Sequence, residues 1–440
     1  MAEHIDLLIE PRWLLPIEPA GTVLEDHAVA VRGGRIVAIL PRDEARARFH
    51  AADLEVLDQH VVLPGLVNLH THAAMTLLRG IADDLPLMEW LQNHIWPAEG
   101  QFMSPAFVRD GTMLACAEML RSGVTCANDM YFFPDTAIEA ALTAGLRLVA
   151  GITTLEFPTA YAVDAEDYLS KGLAIRDRFR GEDLITFTLA PHAPYTVSDA
   201  TFAHILTLSE QLELPIHTHI HETLEEIAGS LKEHGVRPLA RLQRLGLLSP
   251  NLIGIHAVHL DAGDIELLAR HGCSVGHCPS SNLKLASGIA PIAALHRAGI
   301  NVGLGTDGAA SNNRLDAWAE MRLAALLAKG SSGDATVIDA HAALAMATLN
   351  GARALGMEKH IGSLLPGKAA DLCAVRLDHI ELEPCYDIAS HLVYAAGREH
   401  VTHVWVNGHM RVEDGQLTDL DRDELLQRAR AWQYKIRPSS

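Results

Sequence analysis

Between residues 60 and 330 the chain alternates short β-rich runs with longer amphipathic stretches, eight times in succession. The short runs are apolar throughout, a pattern typical of parallel strands whose two faces are both covered by helices. Eight consecutive strand–helix units predict an α/β fold, a closed (β/α)8 TIM-like barrel with its chemistry at the carboxyl ends of the strands. The candidate strands are residues 61–70, 124–129, 147–154, 184–191, 215–219, 252–256, 273–277 and 301–306.

The two ends of the chain have a different pattern, that of β-hairpins. Near the start, "HAVAVRGGRIVAILP" has a Gly-Gly turn between two β-rich runs, and near the end "VTHVWVNGHMRVEDGQL" has an Asn-Gly turn in the same place. Both dipeptides favour the two-residue turns of hairpins. We therefore predict a small β-sandwich domain built from residues 1–58 and 363–440, beside a metal-dependent barrel of residues 59–362.

The composition restricts the classes of partner. The 440 residues are 49% hydrophobic and 20% charged, with a formal net charge of -20 that repels nucleic acid and anionic membranes. No stretch approaches the ~18 uninterrupted apolar residues of a membrane span. The N-terminus has no export-signal pattern, and the six cysteines include no C-x-x-C pair. We expect a cytoplasmic protein with reduced cysteines.

Side chains that can bind a metal end several of the candidate strands. His70 and His72 end the first strand in "PGLVNLHTH", and residues two apart in a strand point to the same face. His219 in "PIHTHIHET", His256 in "LIGIHAVHL" and Asp307 in "NVGLGTDGAA" end the fifth, sixth and eighth strands. Because all these strands end at one barrel mouth, they predict a divalent metal site. Three imidazoles and a carboxylate suit Zn²⁺, and Fe²⁺ or Mn²⁺ fits the same set.

The motifs around these residues are similar to those of a known superfamily. "PGLVNLHTHAAMTLLRG", "HTHIHET", "HAVHL", "GHCPSSNLKL" and "GLGTDGAASNN" resemble the amidohydrolase superfamily, and specifically its 5'-methylthioadenosine/S-adenosylhomocysteine deaminase group, which is related to triazine chlorohydrolases and guanine deaminases. The resemblance covers essentially the whole chain. It implies that the metal ligands are His70, His72, His219 and Asp307.

The resemblance further implies a single metal ion. Superfamily members with two metals typically need a bridging carboxylated lysine at the end of the fourth strand. Residues 184–195 contain no Lys. We therefore expect one divalent ion, with Zn²⁺ preferred.

The resemblance also implies which residues move protons. It places the family's acid/base glutamate, three residues after the third histidine ligand, at Glu222. His256 resembles the histidine that assists the attacking water together with Asp307. A charge at a helix N-terminus is the alternative role for Glu222. His259 competes with His256 but lies beyond the predicted strand end, and His221 is expected to face away from the site.

Substrate-binding residues follow from the same resemblance. Glu99 in "WPAEGQFMSP" matches a glutamate that binds ribose hydroxyls, and His192 in "LAPHAPYT" matches a histidine that contacts the substrate. Glu222 and Asp307 are expected to contact the reacting ring. A solvated loop charge is the alternative for Glu99, and a hydrogen-bonded strand-end histidine is the alternative for His192.

The far end of the substrate is expected to be apolar. Some relatives use an arginine in the loop after the third strand toward the substrate's tail, but "TTLEFPTAYAVDAEDYLSKG" contains no Arg. This departure favours a neutral thioether over a charged homocysteine tail. Trp90, Trp96 and Phe157 are candidates for lining this end of the pocket, with core packing as the alternative.

The sequence thus predicts a metal-dependent aminohydrolase that deaminates an adenosine-type nucleoside. 5'-Methylthioadenosine is the first candidate substrate, followed by S-adenosylhomocysteine and adenosine. A free purine base such as guanine or 8-oxoguanine, or a triazine, is the alternative, and a non-catalytic barrel scaffold is a remote one. The expected partner is a small nucleoside, with no nucleic acid and no membrane, and the chain is a candidate homo-oligomer.

Overall fold

Two β-sheets organise the chain in the computed structural model, which describes residues 2–437. One sheet is built by the two ends of the chain and the other by its middle. The N-terminal strands are β1 (Glu3–Leu14), β2 (Leu24–Glu25), β3 (His27–Arg32), β4 (Arg35–Pro41) and β5 (Phe49–Pro64). The strands of the middle are β6 (Leu66–Thr71), β7 (Val124–Asp129), β8 (Arg147–Thr154), β9 (Ile185–Pro191), β10 (Ile216–Ile220), β11 (Leu252–His256), β12 (Ser274–His277) and β13 (Asn301–Leu304). The C-terminal strands are β14 (Leu372–Arg376), β15 (Val401–Val406), β16 (His409–Glu413) and β17 (Gln416–Leu417).

Helices follow the strands of the middle sheet and cover it. Serine side chains cap the N-termini of two of them, since Ser104 accepts from the backbone N–H of Phe107 and Ser198 accepts from that of Thr201. The helices are α1 (Arg42–Arg48), α2 (Leu87–Trp90), α3 (Trp96–Phe102), α4 (Pro105–Arg121), α5 (Pro134–Ala144), α6 (Ala165–Arg178), α7 (Asp199–Leu212), α8 (Leu224–His234), α9 (Pro238–Arg244), α10 (Ala262–His271), α11 (Pro279–Lys284), α12 (Ile292–Arg297), α13 (Ala317–Ser332), α14 (Ala340–Ala347), α15 (Leu349–Ala354), α16 (Ile388–Tyr394) and α17 (Arg422–Ile436).

The middle sheet is a parallel barrel of eight strands in sequential order, β6 to β13. Its ends meet through hydrogen bonds between the first strand and the segment after the last. The carbonyl of His70 accepts the backbone N–H groups of Thr306 and Asp307, at 3.1 and 2.9 Å. The side-chain amide of Asn68 accepts from the Thr306 N–H and donates to its hydroxyl. The predicted (β/α)8 barrel is confirmed.

The first predicted strand, residues 61–70, is wrong as a single element. Residues up to Pro64 end β5 in the sheet of the chain termini, and β6 of the barrel begins at Leu66. Gly65 separates the two strands, and a Cβ there would lie 2.1 Å from the Thr125 hydroxyl. The continuous apolar run therefore crosses from one sheet into another, and only glycine fits at the crossing.

The terminal sheet has nine strands and curls back on itself. Both predicted hairpins form, because Gly33, Gly34, Asn407 and Gly408 all adopt positive φ angles. The turn between β3 and β4 contacts the segment just before β14, where the Gly34 carbonyl accepts the backbone N–H of Ala370, at 2.8 Å. The predicted small β-domain made from both chain ends is confirmed, whereas its exact boundaries at residues 58 and 363 stay a prediction.

A buried ion pair joins the barrel to the terminal sheet. Arg147, which begins β8, binds both carboxylate oxygens of Asp371, at 2.9 and 3.1 Å. Asp371 also accepts the backbone N–H of Asn407, and Arg147 donates to the Asp183 carbonyl. Both charged side chains are less than a tenth exposed, so removing one partner leaves the other as an uncompensated buried charge.

We predict that Asp371→Ala lowers the free energy of unfolding by about 3–5 kcal/mol, the cost typical of breaking a buried ion pair. Urea unfolding followed by tryptophan fluorescence measures this loss. Glu139→Ala is the matched control, because it breaks the partly exposed Arg178–Glu139 pair, a change worth less than about 1 kcal/mol. Equal midpoints for the two variants would contradict a role for Arg147 and Asp371 in joining the domains.

Among residues 2–437, none of the helices is both long enough and apolar enough to traverse a lipid bilayer.

Candidate active site

Four candidate ligands converge at the carboxyl end of the barrel. The Nε2 atoms of His70 and His72 each lie 3.3 Å from Oδ1 of Asp307, and the Nε2 atoms of His70 and His219 lie 3.1 Å apart. His70 lies in β6, His72 directly follows that strand, His219 lies in β10, and Asp307 lies in the turn after β13. The structure therefore brings together all four residues that the sequence nominates as ligands. Their assignment as ligands stays a prediction.

Backbone carbonyls fix the tautomers of two of these histidines. Nδ1 of His72 lies 2.6 Å from the carbonyl oxygen of Met130, and Nδ1 of His219 lies 2.6 Å from that of His192. Because a carbonyl oxygen only accepts, both Nδ1 atoms must carry the proton. Both Nε2 lone pairs are then directed into the cluster, where a cation can receive them.

Hydrogen bonds also fix the orientation of the Asp307 carboxylate. Its Oδ2 accepts hydrogen bonds from the hydroxyls of Ser281 and Ser311, at 2.6 and 2.8 Å, while Oδ1 faces the histidines. Burial alone would raise its pKa, but the neighbouring His70 and His72 hold the pKa of Asp307 well below its usual range. The residue is therefore an ionised oxygen donor in a fixed orientation.

The donor set fits a divalent cation. Burial lowers the pKa of His70 to about 4 and that of His219 well below its usual value, so both imidazoles are neutral, as metal ligands must be. Three neutral nitrogens and one carboxylate oxygen form the open donor set of catalytic zinc sites. The Nε2 lone pairs of His72 and His219 and Oδ1 of Asp307 face the same region, where a cation can be bound.

Glu222 and His256 lie beside this cluster. Oε2 of Glu222 is 3.7 Å from Nε2 of His256, whose Nδ1 contacts Oδ1 of Asn282 at 2.8 Å. Burial raises the pKa of Glu222. Burial opposes the charge of His256, but the carboxylates of Glu222 and Asp307 outweigh it and raise the pKa of this imidazole. The pair can therefore hold and exchange a proton next to the metal ligands.

Two of these site residues, His256 and Asp307, have unusual backbone conformations. His256 and Asp307 have φ angles of 70° and 59°, in the left-handed region that residues other than glycine rarely adopt. Such conformations cost on the order of 1–3 kcal/mol each and are concentrated at functional sites. They turn the chain sharply where β11 and β13 open into the barrel mouth.

His221 and His259 lie away from the cluster. Nε2 of His221 accepts the backbone N–H of Leu239, and its Nδ1 lies near the carboxylate of Asp264. Nε2 of His259 contacts the carbonyl of Ser287 at 2.7 Å. His221 thus faces away from the ligands as expected, and the geometry favours His256 over His259 as the histidine beside the attacking water.

A cavity of about 370 Å³ opens above the cluster, with His72, His219, Glu222, His256 and Asp307 in its wall. Its upper part is apolar and includes Trp90, Trp96 and Phe157, three side chains that the sequence nominates for this role. Within the described part of the chain, no Lys or Arg lines this cavity. The cavity thus suits a flat polar ring at its floor and an uncharged group above it.

Glu99 and His192 both line this cavity. The carboxylate of Glu99, in α3, accepts the hydroxyl hydrogen of Tyr131 at 2.7 Å, and burial raises its pKa to about 7. Nδ1 of His192 lies 3.0 Å from the Thr196 hydroxyl, and burial lowers its pKa to about 3. Glu99 is therefore not a solvated loop charge, whereas the Thr196 contact of His192 agrees with a hydrogen-bonded strand-end histidine. Both residues line the cavity, and their roles toward a substrate stay predictions.

Several residues of the site escape sequence reasoning. Ser281 and Ser311 orient Asp307, and Tyr131 orients Glu99. His217 contacts Nδ1 of His70 at 2.9 Å. A signal for His217 does exist, because it lies two residues before His219 in the same strand and therefore shares its face.

A second cluster of potential ligands, His379, Glu381 and His400, lies far from the barrel mouth in the sequence. Nδ1 of His400 accepts the backbone N–H of Gly397, so its Nε2 carries the proton and donates to Glu381 at 3.0 Å. A protonated Nε2 has no lone pair for a metal. Two of its three residues, Glu381 and His400, are thus joined by a hydrogen bond instead of presenting lone pairs to a metal. A substitution in this cluster can therefore serve as a control for the metal site.

Comparison with known proteins agrees with this geometry. A model described as "Amidohydrolase family" matches residues 61–411. The chain belongs to the amidohydrolase family.

Individual relatives match this amidohydrolase over nearly its full length. A 5-methylthioadenosine/S-adenosylhomocysteine deaminase of Saccharophagus degradans is 46% identical over 98% of this chain and 97% of its own. An adenosine deaminase from Xanthomonas campestris, solved with bound zinc, is 50% identical with a TM-score of 0.98 and covers 100% of both chains. Atrazine chlorohydrolase from Arthrobacter aurescens, 24% identical with a TM-score of 0.90 over 97% of this chain and 99% of its own, shares the fold.

These findings confirm the predicted superfamily, the enzyme class and the use of a divalent metal. This amidohydrolase is a metal-dependent aminohydrolase, an enzyme that uses water to release an amino group. The oligomeric state stays a prediction.

We predict that wild-type protein retains one divalent ion per chain after dialysis, and that His219→Ala retains less than a tenth of that amount, because one of four convergent donors is lost. Elemental analysis of the dialysed protein measures the ratio. His379→Ala is the control and should leave the metal content unchanged. Loss of metal in His379→Ala, or its retention in His219→Ala, would contradict the assignment of the site.

Proposed function

We propose that this amidohydrolase deaminates an adenosine-type nucleoside, with 5'-methylthioadenosine as the preferred substrate and S-adenosylhomocysteine or adenosine next. The products are the inosine analogue and ammonia. The observation that carries the proposal is the position of Glu222, a buried carboxylate of raised pKa between the ligand cluster and the cavity floor. Relatives with 40–46% identity bear the name of this deaminase, which supports the same substrate class.

The metal site takes His70, His72, His219 and Asp307 as ligands, and Zn²⁺ is the proposed ion since the similar Xanthomonas campestris protein binds zinc. When bound, the ion acts as a Lewis acid that lowers the pKa of water toward ~7. One side-chain nitrogen of His256 and one carboxylate oxygen of Asp307 lie within 4.8 Å of each other, so both side chains can contact the attacking water. They orient this water and accept its proton as its oxygen forms a bond to the purine carbon that carries the amino group.

Glu222 moves protons to and from the substrate. Its carboxyl group protonates the ring nitrogen next to the attacked carbon. The electron pair of the opening C=N bond then forms an N–H bond, so no negative charge develops on the ring. A tetrahedral carbon results. The proton taken from the water by His256 and Asp307 then passes to the amino nitrogen, the C–N bond breaks and ammonia leaves. The remaining O–H proton passes to Glu222 as the C=O bond forms, which restores the proton that Glu222 gave to the ring. Each such proton transfer is typically worth ~10² to 10⁴ in rate.

The remainder of the cavity selects the nucleoside. Glu99 accepts hydrogen bonds from the ribose hydroxyls, and its Tyr131 contact holds the carboxylate in place. His192 contacts the substrate from the end of β9. The wall of Trp90, Trp96 and Phe157 receives the 5' substituent. Because no Lys or Arg among the lining residues faces this wall, a methylthio group binds there better than a charged homocysteine tail.

The cellular setting proposed here is the cytoplasm. The six cysteines are all unpaired, and five of them are buried, as in proteins of reducing compartments. No nucleic acid or membrane partner is proposed, given the net charge of -20.

We predict that Glu222→Gln lowers kcat by at least ~10²-fold, because the amide cannot deliver a proton, while the metal content stays at the wild-type value. Ammonia release from 5'-methylthioadenosine and elemental analysis provide the two measurements. Glu225→Gln, an exposed neighbour on α8, is the matched control and should retain full activity. Near wild-type turnover by Glu222→Gln would exclude it as the proton carrier.

We also predict that Glu99→Ala lowers kcat/KM for nucleosides by about 10–100-fold, through loss of charge-assisted hydrogen bonds worth about 1.5–3 kcal/mol. Activity toward guanine and triazines, which lack ribose, should change less than threefold. The exposed Glu89→Ala provides a control for general loss of charge near the cavity. An equal loss on nucleosides and free bases, or higher wild-type activity on guanine or a triazine, would favour the free-base alternative.

A further inference from the structure

The Nδ1 atom of His70 has a different type of hydrogen-bond partner from the Nδ1 atoms of the other two histidine ligands. His72 and His219 each donate their Nδ1–H to a backbone carbonyl, whereas Nδ1 of His70 faces another imidazole, Nε2 of His217, at 2.9 Å. His217 is completely buried inside the barrel, two residues before His219 on β10. The side chain of His217 thus contacts the candidate ligand His70 and is not among the residues that line the substrate cavity.

The tautomers of the two imidazoles are linked. For His70 to present an Nε2 lone pair to a cation, its proton must be on Nδ1, since neutral imidazole has one N–H. Nε2 of His217 must then accept that proton's hydrogen bond. The opposite arrangement would place a proton on Nε2 of His70, directed at His219 and Asp307, and would remove this ligand.

The side chain of His217 has a single hydrogen-bond partner among the described residues. When Nε2 accepts from His70, Nδ1 of His217 carries the proton, and within residues 2–437 this buried atom has no protein partner. The contact with His70 is therefore the only hydrogen bond of this side chain within the described chain.

We propose that His217 is a positioning residue for the metal site: by accepting the Nδ1–H of His70 it fixes the tautomer and ring orientation in which His70 binds the divalent ion. Groups that orient histidine ligands in this way typically change metal affinity by about 10–100-fold when they are removed. The inference rests on the proposed ligand set and adds a residue that does not contact metal or substrate.

The test compares His217→Gln with His217→Asn. The amide oxygen of Gln reaches the position of Nε2 and accepts from His70, whereas the shorter Asn does not. The dissociation constant for Zn²⁺, measured by competition with a chromogenic chelator, should rise about 10–100-fold in His217→Asn and less than about threefold in His217→Gln. The visible spectrum of Co²⁺-loaded protein should change in the Asn variant alone.

His277→Asn is the matched control. His277 is also a buried histidine on a barrel strand, and neither of its ring nitrogens has a hydrogen-bond partner within the described chain. The same substitution there should leave Zn²⁺ affinity and the Co²⁺ spectrum unchanged. If His217→Asn does not fold, His217→Met provides a variant of similar size without a strong acceptor, for which the same 10–100-fold loss is expected.

Three results would overturn the inference: unchanged affinity in His217→Asn, equal loss in the Gln and Asn variants, or equal loss in His277→Asn. Each of them leaves the proposed function intact, because the wild-type site still binds its ion. Failure of the wild-type protein to bind a stoichiometric ion would instead contradict the proposed function, so the two failures are distinguishable.

Discussion

The site depends on the hydrogen bonds that close the barrel between its first and last strands. The carbonyl of His70 accepts the backbone N–H of Asp307, and the Asn68 side chain pairs with both the backbone and the hydroxyl of Thr306. Residues from opposite ends of the barrel sequence are thereby held by direct backbone contacts. The distance between the first and last ligands is consequently set by the fold, before any metal binds.

The remaining ligands are oriented by neighbouring strands. The carbonyl of Met130, just after β7, fixes His72, and the carbonyl of His192, at the end of β9, fixes His219. Carbonyl acceptors leave no choice of tautomer, so the lone pairs of both imidazoles are directed to the same point. Ligands, or groups that orient them, thus lie at or just after the ends of β6, β7, β9, β10, β12 and β13. Convergence of strand ends is the physical reason that chemistry is found at this face of such barrels.

Local signals explain why much of the fold could be predicted. Apolar runs, N-cap serines and Gly-Gly or Asn-Gly turns act through neighbouring residues, and they correctly indicate the strand–helix units and both hairpins. The boundary at Gly65 was not predictable from periodicity, because residues 61–64 at the end of β5 continue directly into β6 as one buried run, although the two strands join different sheets. A glycine inside a strand pattern was the available signal, and the contact with Thr125 gives its reason.

The candidate site was predictable to the extent that its residues end strands. His70, His219, His256 and Asp307 share that property, and the structure brings them together. Ser281, Ser311 and Tyr131 lie in loops or helices after strands, where tertiary packing decides what they contact. His217 lies in the same "HTHIHET" motif as His219, but the spacing alone does not distinguish a ligand from the residue that orients one.

X-ray absorption spectroscopy of the metal-loaded protein reports the atoms around the ion and therefore tests the proposed ligand set. We expect one type of site, with nitrogen and oxygen donors at ~2.0–2.2 Å and the outer-shell scattering of about three imidazoles. Sulfur scattering at ~2.3 Å, a metal–metal distance, or fewer than two imidazoles would contradict it.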